Sequence, residues 1–378
     1  MPAVLNAALG PRFQAVLASA WISKHAAAKY VQDYVQQVKG VSTEPPAFAP
    51  PIQVQVLDID STSLYEPLEA VNGGEDSLFH ARAKQNLLYG VADGVGGWNE
   101  SGIDPSIFSR SLTAYLTDSA QRTFLLHDSD EADPGDVMRR AFAKMRRDVV
   151  PAYGSATALV LSLSLATARL RSAQLGDSTY VVLDARQQRA RFVAAEQQHR
   201  FNMPYQLTIP PPADFQRAKR SGEESAQFFR PRTGPEDESD DDFADLGAVG
   251  LDTPADARED SHALAHNEVV VAATDGVFDN VRIEEVERLA ERFMHAIGGT
   301  PSAKEADLFG GLAYSVAAQA VANYIQNDLR SPFAERAKLA GYNFTGGKPD
   351  DVTVMLAWVR ETAKVRAEEQ MRDMHPKL

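Results

Sequence analysis

Cysteine is missing from all 378 residues. That absence excludes a disulfide framework, a thiolate zinc site, an iron–sulfur cluster and a cysteine nucleophile together. Any metal must therefore sit on oxygen or histidine. No apolar run approaches the roughly 18 residues that a membrane-spanning helix needs, so no membrane span is expected. There is no basic stripe interleaved with aromatics, and the net charge of −14 opposes a phosphate backbone, which argues against a nucleic-acid partner. The charge is uneven: residues 236–260 hold eleven acids against one base, Arg258. Outside that run the chain is only mildly acidic.

With 44% apolar residues there is enough material for a large core. Up to Gln32 there is no acid, while Arg12, Lys24 and Lys29 punctuate an apolar pattern of Leu5, Leu9, Phe13, Val16, Leu17 and Trp21. On a helix those apolar positions share one face. A basic, amphipathic, acid-free start resembles a mitochondrial presequence, the alternative being an ordinary surface helix. The expected organisation is a targeting segment and linker over 1–45, a folded domain over 46–363 and a charged tail over 364–378. Residues 213–262, polar and acidic, read as a disordered insertion looping off the domain. The expected location is the mitochondrial matrix, with the cytoplasm as the alternative, and the expected state is a monomer.

Within the domain, residues 52–57, 86–92, 156–165, 169–175, 179–183, 269–273 and 352–359 are β-branched or apolar runs of strand length. Asp104 can cap a helix that starts at Pro105 and buries Phe108, Leu112, Tyr115 and Leu116. Two more helical stripes are Val286, Leu289, Ala290 and Phe293, and Leu312, Val316, Ala320 and Ile325. Strands and helices come in groups rather than in alternation, which points to an α+β sandwich.

Three acidic sites stand at strand ends: Asp93-Gly94 after residues 87–92, Asp275-Gly276 after 269–274, and Asp350-Asp351 before 352–355. Glycine beside such a carboxylate lets the chain turn sharply and a backbone carbonyl approach an ion. Oxygen ligands without His or Cys favour Mg²⁺ or Mn²⁺ over zinc. Two such ions about 4 Å apart can activate a water and clamp phosphoryl oxygens during in-line attack. Taken singly, however, a strand followed by Asp-Gly is more often a hairpin turn.

The ordered set alters that reading. Gly74-Glu75-Asp76, Val91-Ala92-Asp93-Gly94-Val95-Gly96-Gly97-Trp98, Gly154-Ser155-Ala156-Thr157-Ala158, Leu175-Gly176-Asp177-Ser178, Ala273-Thr274-Asp275-Gly276-Val277-Phe278-Asp279-Asn280 and Pro349-Asp350-Asp351-Val352-Thr353-Val354 follow one another along the chain. Together they resemble the motifs of the type 2C metal-dependent serine/threonine protein phosphatases, and residues 197–207 resemble that family's mitochondrial branch. The resemblance implies two stacked antiparallel β-sheets flanked by helices. It implies that Asp93 bridges two Mg²⁺ or Mn²⁺ ions, that Gly94 offers its carbonyl to one and that Asp275 and Asp350 complete the other. Glu75 and Asp76 would act through waters, and Asp177 and Asp279 would hold a third, weaker ion. It also implies phosphoprotein substrates, mitochondrial matrix enzymes among them.

Three positions depart from the family pattern. Val71 stands where many relatives carry a phosphate-binding Arg, with Arg82 and Lys84 as substitutes to consider. Val95 stands where many have a His acting as general acid. Asp351 replaces the usual Asn, either to tighten metal binding or to face solvent. Two other readings compete. Asp58-Ile59-Asp60-Ser61-Thr62 matches the haloacid-dehalogenase signature with Asp58 as nucleophile, and a binding protein that kept the fold but lost turnover is the second.

Overall fold

The computed structural model describes residues 12–39, 48–59, 73–83, 85–126, 131–148, 152–212, 250–297 and 304–362. The chain opens with β1 (Phe13–Ile22), α1 (Lys24–Lys39), β2 (Gln53–Ile59), β3 (Asp76–Ala83) and β4 (Asn86–Asp93), then α2 (Pro105–Leu126) and α3 (Pro134–Arg146). Strands follow: β5 (Gly154–Ala156), β6 (Ala158–Ser164), β7 (Arg169–Leu175), β8 (Thr179–Leu183), β9 (Ala190–Val193), β10 (Gln198–Arg200), β11 (Met203–Pro204) and β12 (Leu207–Ile209). The last part is β13 (Arg258–Ala263), β14 (Val269–Ala273), α4 (Asp275–Phe278), α5 (Ile283–Ile297), α6 (Glu305–Tyr324), α7 (Pro332–Leu339) and β15 (Val352–Glu361).

Two sheets form the frame, one ordered β2-β1-β15-β14-β8-β9 and the other β13-β7-β6-β4-β3, with every neighbouring pair antiparallel. Leu17, Tyr89, Leu161, Val270 and Met355 fill the layer between them. On the outer side of the six-stranded sheet, Phe293, Phe309 and Val316 of α5 and α6 pack on Val16, Val271 and Leu356. On the other outer face, Phe108, Leu112, Met138 and Phe142 of α2 and α3 pack on Phe79, Leu88 and Val160. The expected sandwich of two antiparallel sheets flanked by helices is therefore present. Asp104 caps α2 by accepting the Ser106 amide at 3.0 Å, as its position before Pro105 implies.

The N-terminal expectation is corrected. Phe13–Ile22 is a strand, set between β2 and β15 and buried on both faces. Phe13, Ala15, Leu17 and Trp21 face the inter-sheet layer, while Val16, Ala18, Ala20 and Ile22 face the helices. A strand covered on both sides shows no polar alternation, and its larger apolar residues can mimic a helical face once the alanines are ignored. The folded domain thus includes β1, and a boundary at 45/46 would cut through it. Leu5 and Leu9 lie outside the described residues.

The far end of the expected insertion is also corrected. Residues 213–249 lie outside the described residues, but 250–262 are built into the fold. Thr253 and Asp256 form a capped turn through the Thr253 amide and Asp256 Oδ2 at 2.8 Å. Next, β13 pairs along β7 from Arg258↔Gln174 to Ala263↔Arg169. The Asp58 reading fails on topology, because β2 is an antiparallel edge strand where a parallel βα unit was needed. Asp58 instead accepts a hydrogen bond from Arg360 at 2.9 Å; Asp60 lies outside the described residues.

Because β1 supplies apolar contacts to both layers, a chain lacking residues 1–22 should show no cooperative thermal transition by circular dichroism. Leu17→Ala alone should cost about 2–5 kcal/mol in urea unfolding.

Candidate metal centre

Asp93 closes β4 opposite Asp76, which opens β3, so both stand at one end of the five-stranded sheet. In the other sheet β14 and β15 are neighbours; Asp275 follows the first and Asp350 precedes the second. A bond between the sheets joins these ends: Thr274 Oγ1 donates to Asp76 Oδ2 at 2.8 Å. Asp177 sits on the turn by which the chain crosses from β7 in one sheet to β8 in the other. Asp279 follows one turn after Asp275, its amide donating to the Asp275 carbonyl at 2.7 Å. Gly276 is required at the turn, because a Cβ there would collide with the Asp351 carbonyl.

Three cations answer this concentration of acid. Lys348 Nζ lies 2.6 Å from Asp275 Oδ2, 2.6 Å from Asp279 Oδ2 and 3.1 Å from Asp350 Oδ2. Arg336 pairs with the other oxygen of Asp279 and stands 3.6 Å from Glu196. Lys24 Nζ donates to Glu75 Oε2 at 2.7 Å and lies 3.9 Å from Asp350. Among the described residues no three carboxylates or imidazoles form a ready-made ligand cage. Asp275, Asp279 and Asp350 are gathered on the Lys348 ammonium.

A comparison with known proteins finds 32% identity to the protein phosphatase PTC7 homolog of Xenopus laevis over 292 residues, covering 76% of this chain and 82% of that protein. The human PTC7 homolog is also 32% identical, with 76% and 80% covered. The chain belongs to the type 2C metal-dependent protein phosphatases, in their PTC7 group. The 5-azacytidine resistance protein azr1 of Schizosaccharomyces pombe is similar at 31% identity, over 76% of this chain and 82% of that one. The solved structure of the photosystem II phosphatase PBCP shares the fold, with a TM-score of 0.53 and 24% identity over 76% of this chain and 92% of that one. No family model matches. This type 2C phosphatase acts on phosphoserine and phosphothreonine in proteins and depends on divalent metal.

The carboxylates of the centre repel one another. Burial first, then Asp275, Asp76, Asp350 and Asp177, push the Asp93 carboxyl well above its usual range. Burial and Asp351 do the same to Asp76, against hydrogen bonds from Thr274 and Thr353. Asp177 is raised by burial and by Asp275 and Asp279. Asp279 is pushed up to about 7, by burial and Asp275 against Lys348, and Asp350 to about 6 by burial and Asp275. Asp275 runs the other way: burial would raise it, but the Lys348 ammonium together with hydrogen bonds from Asp93 and Asp279 brings it below the usual value.

The departures from the family pattern resolve differently from expectation. Asp351 accepts the Lys24 amide on one oxygen and the Glu75 amide on the other, both at 2.6 Å. It is therefore a backbone clamp. Gly74, at φ +83°, leaves the room its carboxylate fills. Arg82 lies six residues along β3 from Asp76, about 20 Å at strand rise, so it cannot serve the centre. Lys84 and Val71 fall outside the described residues. Lys24, Arg336 and Lys348 were missed as members of the centre; only Lys348, two residues before Asp350, carried a local hint.

The sign of the pH effect follows from the raised carboxyls. Between about pH 4 and 7 the folded state holds protons that the unfolded chain releases, so stability falls as pH rises through that window. In EDTA the melting temperature should be higher at pH about 5 than at about 7.5, and Mn²⁺ should raise it most at the higher pH; a flat profile in EDTA would contradict this account. Asp351→Ala leaves two amides without their acceptor and should cost about 2–4 kcal/mol in urea unfolding.

Proposed function

We propose that Asp93, Asp275 and Asp350, with the Gly94 carbonyl, hold two Mg²⁺ or Mn²⁺ ions in this phosphatase, while Glu75 and Asp76 act through intervening waters. The observation that supports it is the gathering of Asp275, Asp279 and Asp350 on one cationic group, Lys348, with Asp93 of the other sheet close enough to feel the charge of Asp275 and Asp350. The donor set fits a hard ion, since it is all oxygen. When bound, the ions supply the positive charge that lowers the pKa of a water and takes up charge on the phosphoryl oxygens.

The chain's own contribution is to hold the carboxylates against their repulsion. Thr274 orients Asp76, the Thr157 hydroxyl accepts the Asp93 amide at 3.1 Å, and Asn280 fixes the Lys348 backbone by bonds of 2.8 and 2.9 Å. Asp177 and Asp279 would hold a third ion. Arg336 holds Asp279 in addition to the Lys348 ammonium it shares with Asp275, so an ion there has one more cation to displace, which makes it the weaker site. A place in the mitochondrial matrix, with matrix enzymes as substrates, rests on the resemblance of residues 197–207, because the helix expected near the N-terminus is β1.

Protein stripped with EDTA should regain phosphopeptide hydrolysis on adding Mn²⁺, and Asp275→Asn should fall by about a hundredfold or more. Turnover that persists in EDTA, or an Asp275→Asn variant equal to wild type, would overturn the assignment.

A further inference from the structure

The centre gathers carboxylates, yet the substrate of a phosphatase brings a phosphoryl group that is itself anionic. A cation of the chain beside the bound ions would meet that charge where the group enters. Of the three cations at the centre, two have their donors engaged. An ammonium offers three hydrogens, and Lys348 has three carboxylate oxygens within 3.1 Å; its side chain is 17% exposed. Arg336 lies between Asp279 and Glu196.

Lys24 differs on each count. It has one close carboxylate partner, Glu75 at 2.7 Å, and its side chain is 41% exposed. It nevertheless stands beside the centre, 3.9 Å from Asp350. Its place is fixed from three directions. β1 pairs with β15 up to Ile22↔Val352, which carries the following residues alongside Asp351 and Asp350. The Lys24 amide is held by Asp351 at 2.6 Å. Glu75, which holds the ammonium, is itself held by Asn99 Nδ2 at 2.7 Å. A half-exposed ion pair stabilises a fold little, so this bracing is more than the pair needs for stability alone.

We propose that Lys24 binds the phosphoryl group of the substrate, its Nζ donating to a phosphoryl oxygen while Glu75 keeps it at the edge of the aspartate cluster. The proposal rests on the phosphatase reading. Contact with a non-reacting phosphoryl oxygen is made in the ground state and the transition state alike, so its loss raises KM and leaves kcat. The product, inorganic phosphate, must bind through the same nitrogen.

The test compares wild type, Lys24→Gln and Lys24→Arg, all loaded with Mn²⁺, by calorimetric titration with inorganic phosphate, by phosphopeptide kinetics and by Mn²⁺ affinity. Lys24→Gln should weaken phosphate binding and raise KM by about tenfold or more, the worth of one charge-assisted hydrogen bond. Its kcat and Mn²⁺ affinity should stay within about threefold, and Lys24→Arg should restore both lost quantities. Lys24→Met, which keeps the aliphatic stem, gives the same readings if the Gln variant melts early. Unchanged phosphate affinity in Lys24→Gln, or a fall in Mn²⁺ affinity that matches the rise in KM, would overturn the proposal, as would a wild type that binds no phosphate. A wild type that binds phosphate through Lys24 but hydrolyses no phosphopeptide would support Lys24 and sink the phosphatase reading instead.

Discussion

Mutual repulsion among buried carboxylates is the constraint around which the rest of this molecule is arranged. Two like charges 4 Å apart repel by about 4 kcal/mol at the effective dielectric typical near a protein surface, and here Asp76, Asp93, Asp177, Asp275, Asp279 and Asp350 share one end of the sandwich. No local segment could hold such a set. It is held because these aspartates stand at or just past strand ends, Asp279 one helical turn beyond, and the strands lie in apolar layers, each buried Val or Leu contributing about 1.5–3 kcal/mol. The raised carboxyls and the ammonium of Lys348 are two answers to the same problem, protonation and internal pairing; bound metal is the third.

The sequence made some of this legible and not the rest, for physical reasons. The order of motifs was readable because each aspartate must sit beside a residue that permits a turn, so Asp93-Gly94 and Asp275-Gly276 leave a local trace. The strands of the two sheets were readable as apolar runs, and α2 by its Asp104-Pro105 start. What failed was the element whose pattern was ambiguous: β1, buried on both faces, has alanines at 15, 18 and 20 that leave its larger residues looking helically spaced. Residues 250–262 failed because their acids alternate inward and outward on β13, so composition suggested solvent where the backbone pairs with β7.

The cations of the centre were hidden for a different reason. A carboxylate that holds a metal is constrained by its own turn, whereas a counter-cation needs only a long side chain that arrives from anywhere. Lys24 and Glu75 are 51 positions apart and Arg336 and Asp279 are 57 apart, and neither pair leaves a spacing to read. The same freedom explains why Val71 and Val95 looked like losses of function. An absent motif residue records only that one chain position no longer supplies a charge, and the position of Arg82 shows that nearness in sequence is a poor guide to what replaces it.

The N-terminal strand joins these threads. Pairing in antiparallel register, β1 and β15 fix which residue beyond Ile22 meets which residue before Val352, and a slip of one place would turn every side chain of β1 to the wrong layer. The burial of Ala15 and Leu17 on one side and of Val16 and Ala18 on the other therefore sets the register that delivers Lys24 to Asp351. Asp351, lying between the strand and the Asp350 it follows, transmits that register to Glu75 through its second oxygen. An Asn there could accept only one of the two amides on its carbonyl side. The carboxylate at this position thus anchors the start of α1, and with it Lys24, to the edge of the same centre.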